Sequence, residues 1–551
     1  MVGPVPASNP YNVFGQDIND WHYRMLELGP RTDHIVGDVF RAVAGFRGEI
    51  PDTTWNWELG ALYSEDDRFE KFAHDVSASG LLAAFASTDP TTSIDVFGNR
   101  ANGAPLGNQA VLQALEISET SRAESKLANW DGRIRGELFD LPGGAVGVAV
   151  GGGLQDETVD YQPDLIYQSG DSATGQESHP FSGHRQSESA FIEVAIPLFG
   201  PKQSIPLLHS FEVRAAGRYD HYSDFGDTEN PKISGRYQPF ANESVTFRAS
   251  YGTSFQAPSF SALGLTFLNF PDVLVPATSP NGTPYNNAGD LDQLGGGSLF
   301  VANPTLKPQT SQNWGAGVIV NPPFLKHLTV SVDYYNLAIS KVFFQDPQFI
   351  VNHFNPGQID PLTGNPYITV DGFGNLISED VPTLNLAAID TDGIDIGLAY
   401  EWPTETAGRF TLTANYTYVL KWDRVPFPNA PKEDFNGDFS DDSALFGAIP
   451  RLKGEAGITW DYHGFSTGIT THYIGDYIDG ARPGHHVNEY WSEDAQASYL
   501  FRKTNTKVTF GIINISDERP AKSYAAFSDF YARDLYDIRQ RMYYVSVDQK
   551  F

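Results

Sequence analysis

Long stretches of this chain alternate apolar with polar residues at a period of two, each for roughly ten to fifteen residues. Leu328, Val330, Val332 and Tyr334 interleave with Thr329, Ser331 and Asp333. Phe410, Leu412, Ala414, Tyr416 and Tyr418 interleave with Thr411, Thr413, Asn415 and Thr417. A strand sends successive side chains to opposite faces, so each stretch makes a strand with one greasy and one wet face. Strands of soluble sandwiches average about 5–6 residues, and these are longer. The connections follow one grammar: strand, short turn, strand, long loop. Short turns fall at 51–52, 141–144, 200–205, 241–242, 321–324, 403–408, 463–464 and 502–504, and long stretches at 65–128, 255–309, 343–387 and 422–449. Short turns at one end and long loops at the other point to an all-β fold, a transmembrane antiparallel β-barrel. A propeller would need a repeat of roughly 40–50 residues, and none is visible. The pattern yields 17 strands, or 18 if residues 21–28 form a short one.

Composition agrees and narrows the function. In 551 residues no apolar run reaches the length of about 18 that a spanning helix needs; a barrel is exempt, because only alternate residues meet lipid. The net charge of −31 repels phosphate backbones, which excludes nucleic acid as a partner. Cysteine is absent, so neither disulfides nor Cys-bound metal hold the fold. The first residues lack the basic and apolar regions of a signal peptide. The wet parity carries Arg133, Arg135, Glu137, Glu212, Arg214, Arg218, Asp220, Arg236, Arg248, Asp333 and Glu455. Charges of both signs on lumen-facing positions imply water or a polar plug inside.

Candidate binding groups lie in the loops. Phe255, Phe343, Phe344, Trp422, Phe527, Phe530 and Tyr531 either stack on a ligand ring or pack the loops and the interfacial girdle. The acidic run 432–443 offers Asp434, Asn436 and Asp438, with Asp441 and Asp442, to a hard cation, or else is a solvated acidic loop. Its spacing does not match an EF-hand. The adjacent pair His485–His486 is a weak metal candidate. Gly464–Gly468 reads GFSTG, yet Ser466 opens a strand, whereas a nucleophile elbow sits on a strand-to-helix turn. No catalytic residue and no cofactor are expected.

Several segments resemble the barrel of TonB-dependent outer-membrane receptors. ASYGTSFQAPSF (249–260) is similar to the family's strand-to-loop motif, with Gln256 where Arg is usual. NPTLKPQTSQNWGAGV (303–318) resembles its next motif, with Gln309 and Ala316 at positions that are usually acidic. VSVDYYNLAISKV, TDGIDIGLAY, FGIINISDERP and the terminal YDIRQRMYYVSVDQKF match further segments, in family order. NPYNVFG, near the start, resembles a loop motif of one branch. The resemblance implies a Gram-negative outer-membrane location and uptake of a scarce nutrient: an iron–siderophore complex, cobalamin or an oligosaccharide. It implies outer-membrane lipid, the barrel assembly machinery, the nutrient and the TonB complex as partners, the last acting through a plug. The alternatives are a passive porin-like channel and, further off, a barrel hydrolase using Ser466.

Domain expectations follow the same resemblance. Residues 1–34 read as a loop and short-strand segment and 35–551 as the receptor-like barrel. Neither plug nor TonB box is visible, and large plugged barrels have about 22 strands. The chain is therefore expected to be a fragment short of the plug and roughly the first four or five strands. Such a fragment leaves two unpaired edges. Its last strand resembles the family's assembly signal: Tyr543, Val545, Val547 and Phe551 share one parity, with Gln549 the polar member of the row.

Overall fold

The computed structural model describes residues 5–18, 25–95, 109–173, 177–269, 274–290, 297–439, 447–480, 482, 484–526 and 530–550. Its frame is an 18-stranded sheet, made of 17 long strands and the two-residue strand Glu433–Asp434. In chain order the long strands are β1 (Thr32–Glu49), β2 (Asn56–Val76), β3 (Glu116–Leu141), β4 (Gly144–Pro163), β5 (Phe181–Phe199) and β6 (Ser210–Tyr222). Then come β7 (Gly226–Gln238), β8 (Val245–Gln256), β9 (Gln309–Val320), β10 (Leu328–Phe344), β11 (Leu384–Pro403) and β12 (Arg409–Val425). The last five are β13 (Leu452–Tyr462), β14 (Phe465–Ile474), β15 (Tyr490–Phe501), β16 (Thr506–Ile513) and β17 (Met542–Gln549).

Each long strand pairs antiparallel with the next in sequence, from β1–β2 to β16–β17. This is the transmembrane β-barrel topology that the alternation requires. Among the described residues β1 pairs only with β2 and β17 only with β16. The outer parity of the wall is apolar and open: Leu412, Ile458, Ile469, Tyr499, Phe510 and Val545 are all exposed. A surface this apolar in a chain this charged belongs in lipid.

Three details depart from the pattern read in the sequence. Both ends of the polar stretch 65–128 are strand, because β2 continues to Val76 and β3 begins at Glu116. Past the lipid both faces meet water, so alternation fades although the ladder persists; Arg122 Nε donates to Asp67 Oδ1 at 2.8 Å there. Between β6 and β7 lie only residues 223–225, a tight turn at the end where loops were expected to be long. Of the short strand expected at 21–28, Leu26–Leu28 forms a 3-10 turn instead, and residues 21–24 lie outside the described residues.

The long loops fold into caps of their own. One is a five-stranded sheet drawn from three loops, with Gly297–Val301 parallel to Leu376–Pro382, over a core that includes Phe300, Ile350, Ile368 and Val381. A second packs Val5 and Leu28 against Leu81, Phe85 and Leu112 of the β2–β3 loop. There Asn9 Nδ2 donates to Phe85 O at 3.0 Å, so the NPYNVFG segment is pinned to the loop end of the wall. A third gathers Phe439, Tyr477, Val487 and Tyr536 beneath the loop before β17.

Candidate functional site

The wet parity of β6 to β16 encloses a cavity of about 1580 Å³. Its wall is organised by register. Residues directly opposite one another run Glu212, Arg236, Arg248, Gly317, Asp333, Asp395, Thr417 and Lys453 across eight successive strands, and all eight line the cavity. Like charges sit side by side in this row, Arg236 with Arg248 and Asp333 with Asp395, which costs free energy unless partners come from elsewhere.

Those partners come diagonally and across a gap. Arg248 reaches over β9 to Asp333 on β10, with Nε–Oδ1 and Nη2–Oδ2 both 2.6 Å. The residue between them is Gly317, and a Cβ there would strike Asp333 Oδ1 and the Val332 carbonyl. Asp395 accepts from Thr417 Oγ1 at 2.6 Å. Arg214 Nε donates to Glu212 Oε1 at 2.6 Å on their own strand. Further round, His472 lies 3.1 Å from Asp494 and 3.6 Å from Glu455, and Asp494 Oδ1 also accepts the Asn514 N–H at 2.8 Å. Among the described residues Arg236 and Lys453 have no carboxylate partner, so two cationic groups face the cavity uncommitted. Tyr335 and Tyr490 on the inward parity and Tyr536 of the loop before β17 add aromatic surface to the lining.

Of the charges read as lumen-facing, Glu212, Arg214, Arg236, Arg248, Asp333 and Glu455 are lining residues. The others keep the same kind of company elsewhere on the wall. Arg133 Nε bonds Glu58 at 3.0 Å, Arg135 Nε bonds Asn56 at 2.6 Å, and Arg218 Nε bonds Asp220 at 2.9 Å. The Glu137 N–H is held by Thr54 Oγ1 at 3.0 Å. The row also holds Asp395 and Lys453, and the His472 group holds Asp494, none of which the sequence reading singled out. Their signal was present, since each sits on the polar parity of an alternating strand, but their convergence depends on register.

None of the described loop aromatics lines this cavity. Phe344 is buried with Val342, Ala387 and Ile389, and Trp422 packs against the same cluster. Phe343 is half-buried on β10. Phe255 packs on Tyr222, with ring centroids 5.6 Å apart, and on Phe225. Tyr531 packs against the third cap, whereas Phe530 is exposed. Phe527 and Phe551 lie outside the described residues.

In the acidic loop Asp434 Oδ1 accepts the Asn436 N–H at 2.9 Å, a local turn. Burial raises the Asp438 carboxyl, and Asp434 and Asp479 raise it further. Asp441 and Asp442 lie outside the described residues. His485 Nδ1 is 3.0 Å from Asp479, and among the described residues no group of three or more His, Cys, Asp or Glu is placed to hold a metal. Ser466 faces Asp461 and Ser498 across its neighbouring strands, while His472 is taken by carboxylates. On the last strand Tyr543, Val545 and Val547 point outward and are well exposed.

Comparison with known proteins places this arrangement. The family described as TonB dependent receptor-like, beta-barrel matches residues 5–515. Among solved structures, the chain is similar to the siderophore receptor PirA from Acinetobacter baumannii, with a TM-score of 0.55 and 13% identity over 94% of this chain and 63% of that one. It is similar to the siderophore receptor PiuA from Acinetobacter baumannii, with a TM-score of 0.54 and 13% identity over 94% of this chain and 65% of that one. The chain thus spans 63% and 65% of the length of those two receptors. No curated protein sequence matches it.

Proposed function

The chain belongs to the TonB-dependent receptor-like β-barrel family, and on that premise we propose that it supplies the wall and capture loops of a nutrient-uptake receptor. Its place is the outer membrane of a Gram-negative bacterium, and its family comprises receptors rather than enzymes. A ferric siderophore is the nutrient we assign, since the structures of like fold are described as siderophore receptors.

The observation that carries the reading is the cavity of about 1580 Å³ inside the wall, lined by a row of charged side chains and bordered by residues of two loops. Ordinary small-ligand sites occupy about 300–1,000 Å³, so this space suits a bulky chelate or its path. Lys453 and Arg236 offer positive charge to an anionic chelate, and the tyrosines offer stacking faces and hydroxyls. Energy for release would come through a TonB complex acting on a plug, and insertion through the barrel assembly machinery reading the last strand.

Intrinsic fluorescence or calorimetry of the folded chain tests this with ferric catecholates, ferric hydroxamates, the metal-free chelators, cobalamin and an oligosaccharide. Saturable binding of one ferric chelate, weakened roughly tenfold by Lys453→Gln as one lost charge contact of about 1–2 kcal/mol would do, supports the reading. Saturable binding of cobalamin or the sugar alone would replace the ligand class. Unselective permeation of small solutes into liposomes, without saturation, would replace the receptor with a porin.

A further inference from the structure

The outer ends of β2 and β3 meet the loop after β4 at a buried acidic cluster that nutrient uptake leaves unused. Glu119, near the start of β3, is 0% exposed, and among the described residues neither of its carboxylate oxygens has a hydrogen-bond partner. Asp75, at the end of β2, is 2% exposed, and Ser172 is 4% exposed. Ser172 Oγ donates to Asp75 Oδ2 and also lies within reach of Glu119, but a hydroxyl has a single proton to give. The charged groups that act on Glu119 are Asp75 and Asp164, both acidic.

Backbone contacts fix all three segments around this point. The Ala173 N–H donates to Val76 O at 2.8 Å, and the Ser77 N–H to Leu115 O at 2.9 Å. A break in the β2–β3 register between Ala73 and Asp75, with His74 at φ +66°, turns Asp75 toward the cluster. The site is therefore built, not a chance gathering of loop carboxylates.

An ionised carboxylate taken wholly out of water without a donor costs several kcal/mol. A proton would cap one Glu119 oxygen and leave the other bare. Among the described residues the cluster offers carboxylate and hydroxyl oxygens, the ligand set of a hard cation, and Ca²⁺ tolerates the irregular geometry that Mg²⁺ does not. We propose that Glu119, Asp75 and Ser172 bind a hard divalent cation, Ca²⁺ first, that staples the β2–β3 extension to the loop after β4. With two carboxylates rather than three, the ion completes its shell with backbone carbonyls and water.

Tyr167 is buried near enough for the Glu119 charge to act on it, and it serves as an antenna for terbium. The full folded chain in detergent is stripped with a chelator, titrated with Tb³⁺ under tyrosine excitation, and challenged with Ca²⁺. A parallel series follows thermal unfolding with and without Ca²⁺. The expected result is saturable emission that Ca²⁺ displaces, together with a Ca²⁺-dependent rise in unfolding temperature. Glu119→Gln, neutral and of equal size, folds without the ion and weakens binding by roughly tenfold or more, since affinity follows ligand charge. Tyr167→Phe loses the emission but keeps the thermal shift. Emission or stabilisation that survives Glu119→Gln, from the acidic loop or elsewhere, overturns the proposal. So does a wild-type chain with neither.

Discussion

Gly317 carries no side chain, and that gap lets Arg248 and Asp333 meet across an intervening strand. Gly317→Ala is expected to push the pair apart and leave Asp333 facing Asp395, destabilising the wall by about 1–3 kcal/mol. A lowered urea midpoint for folding into detergent measures it. Replacing Arg248 with Met removes the same pair without the clash, and for a half-exposed ion pair the loss is about 1 kcal/mol or less. The residues of this group were legible as a polar parity, but their pairing was not. Sequence shows which face a side chain takes, whereas contact across three strands depends on register and on one missing Cβ. Glu379 was not legible at all. It is buried in the loop sheet with one oxygen unpartnered, and burial pushes its carboxyl from an ordinary 4.5 up to about 8. Between those two values the folded state holds more protons than the unfolded chain, so stability falls as pH rises through that window and levels off above about 8. Amide exchange in the loop sheet should quicken across it, and Glu379→Gln should remove the slope.

Loop anchoring is the business of whole elements, and two buried arginines do much of it. Arg185 on β5 bonds Asp224 in the tight turn at 2.6 Å and the Pro258 carbonyl at 2.7 Å, and its guanidinium lies 4.8 Å from the Phe260 ring centroid. Arg424 on β12 does the same for the loop after β12, bonding Glu433 at 2.7 Å with its guanidinium over Phe435. Arg185→Lys keeps the charge but loses the fork and the flat stack, for an expected cost of about 2–3 kcal/mol. Limited proteolysis should then cut residues 257–308 faster while the strands stay protected. These contacts explain why the motif segments were readable. The 249–260 segment carries Pro258 and Phe260 to Arg185. In the 303–318 segment Asn303 Nδ2 donates to Thr383 O at 2.8 Å, and the Lys307 N–H donates to Asn385 Oδ1 at 2.8 Å. Such loops have fixed hydrogen-bonding jobs and leave a fixed sequence trace. The sheet made from three loops left none, because its short strands come from distant segments and lack any period.

At the scale of the molecule, strand number, direction and neighbours followed from period and turn length, since an antiparallel meander leaves little choice once one face must meet lipid. The cavity did not follow, because its volume depends on how the loops fold back over the wall. Opposite faces of each long strand meet lipid and lumen. The chain has no cysteine, so single Cys substitutions report their own surroundings without background. On β10, Ser331 and Asp333 line the cavity, whereas Val330 and Val332 belong to the outer parity. Thiol labelling in outer membranes with a hydrophilic, impermeant maleimide and with a lipid-soluble one tests this directly. Ser331→Cys and Asp333→Cys are expected to take the hydrophilic reagent, while Val330→Cys and Val332→Cys take only the lipid-soluble one. Equal labelling of both parities by the hydrophilic reagent, or the reverse alternation, would contradict that arrangement.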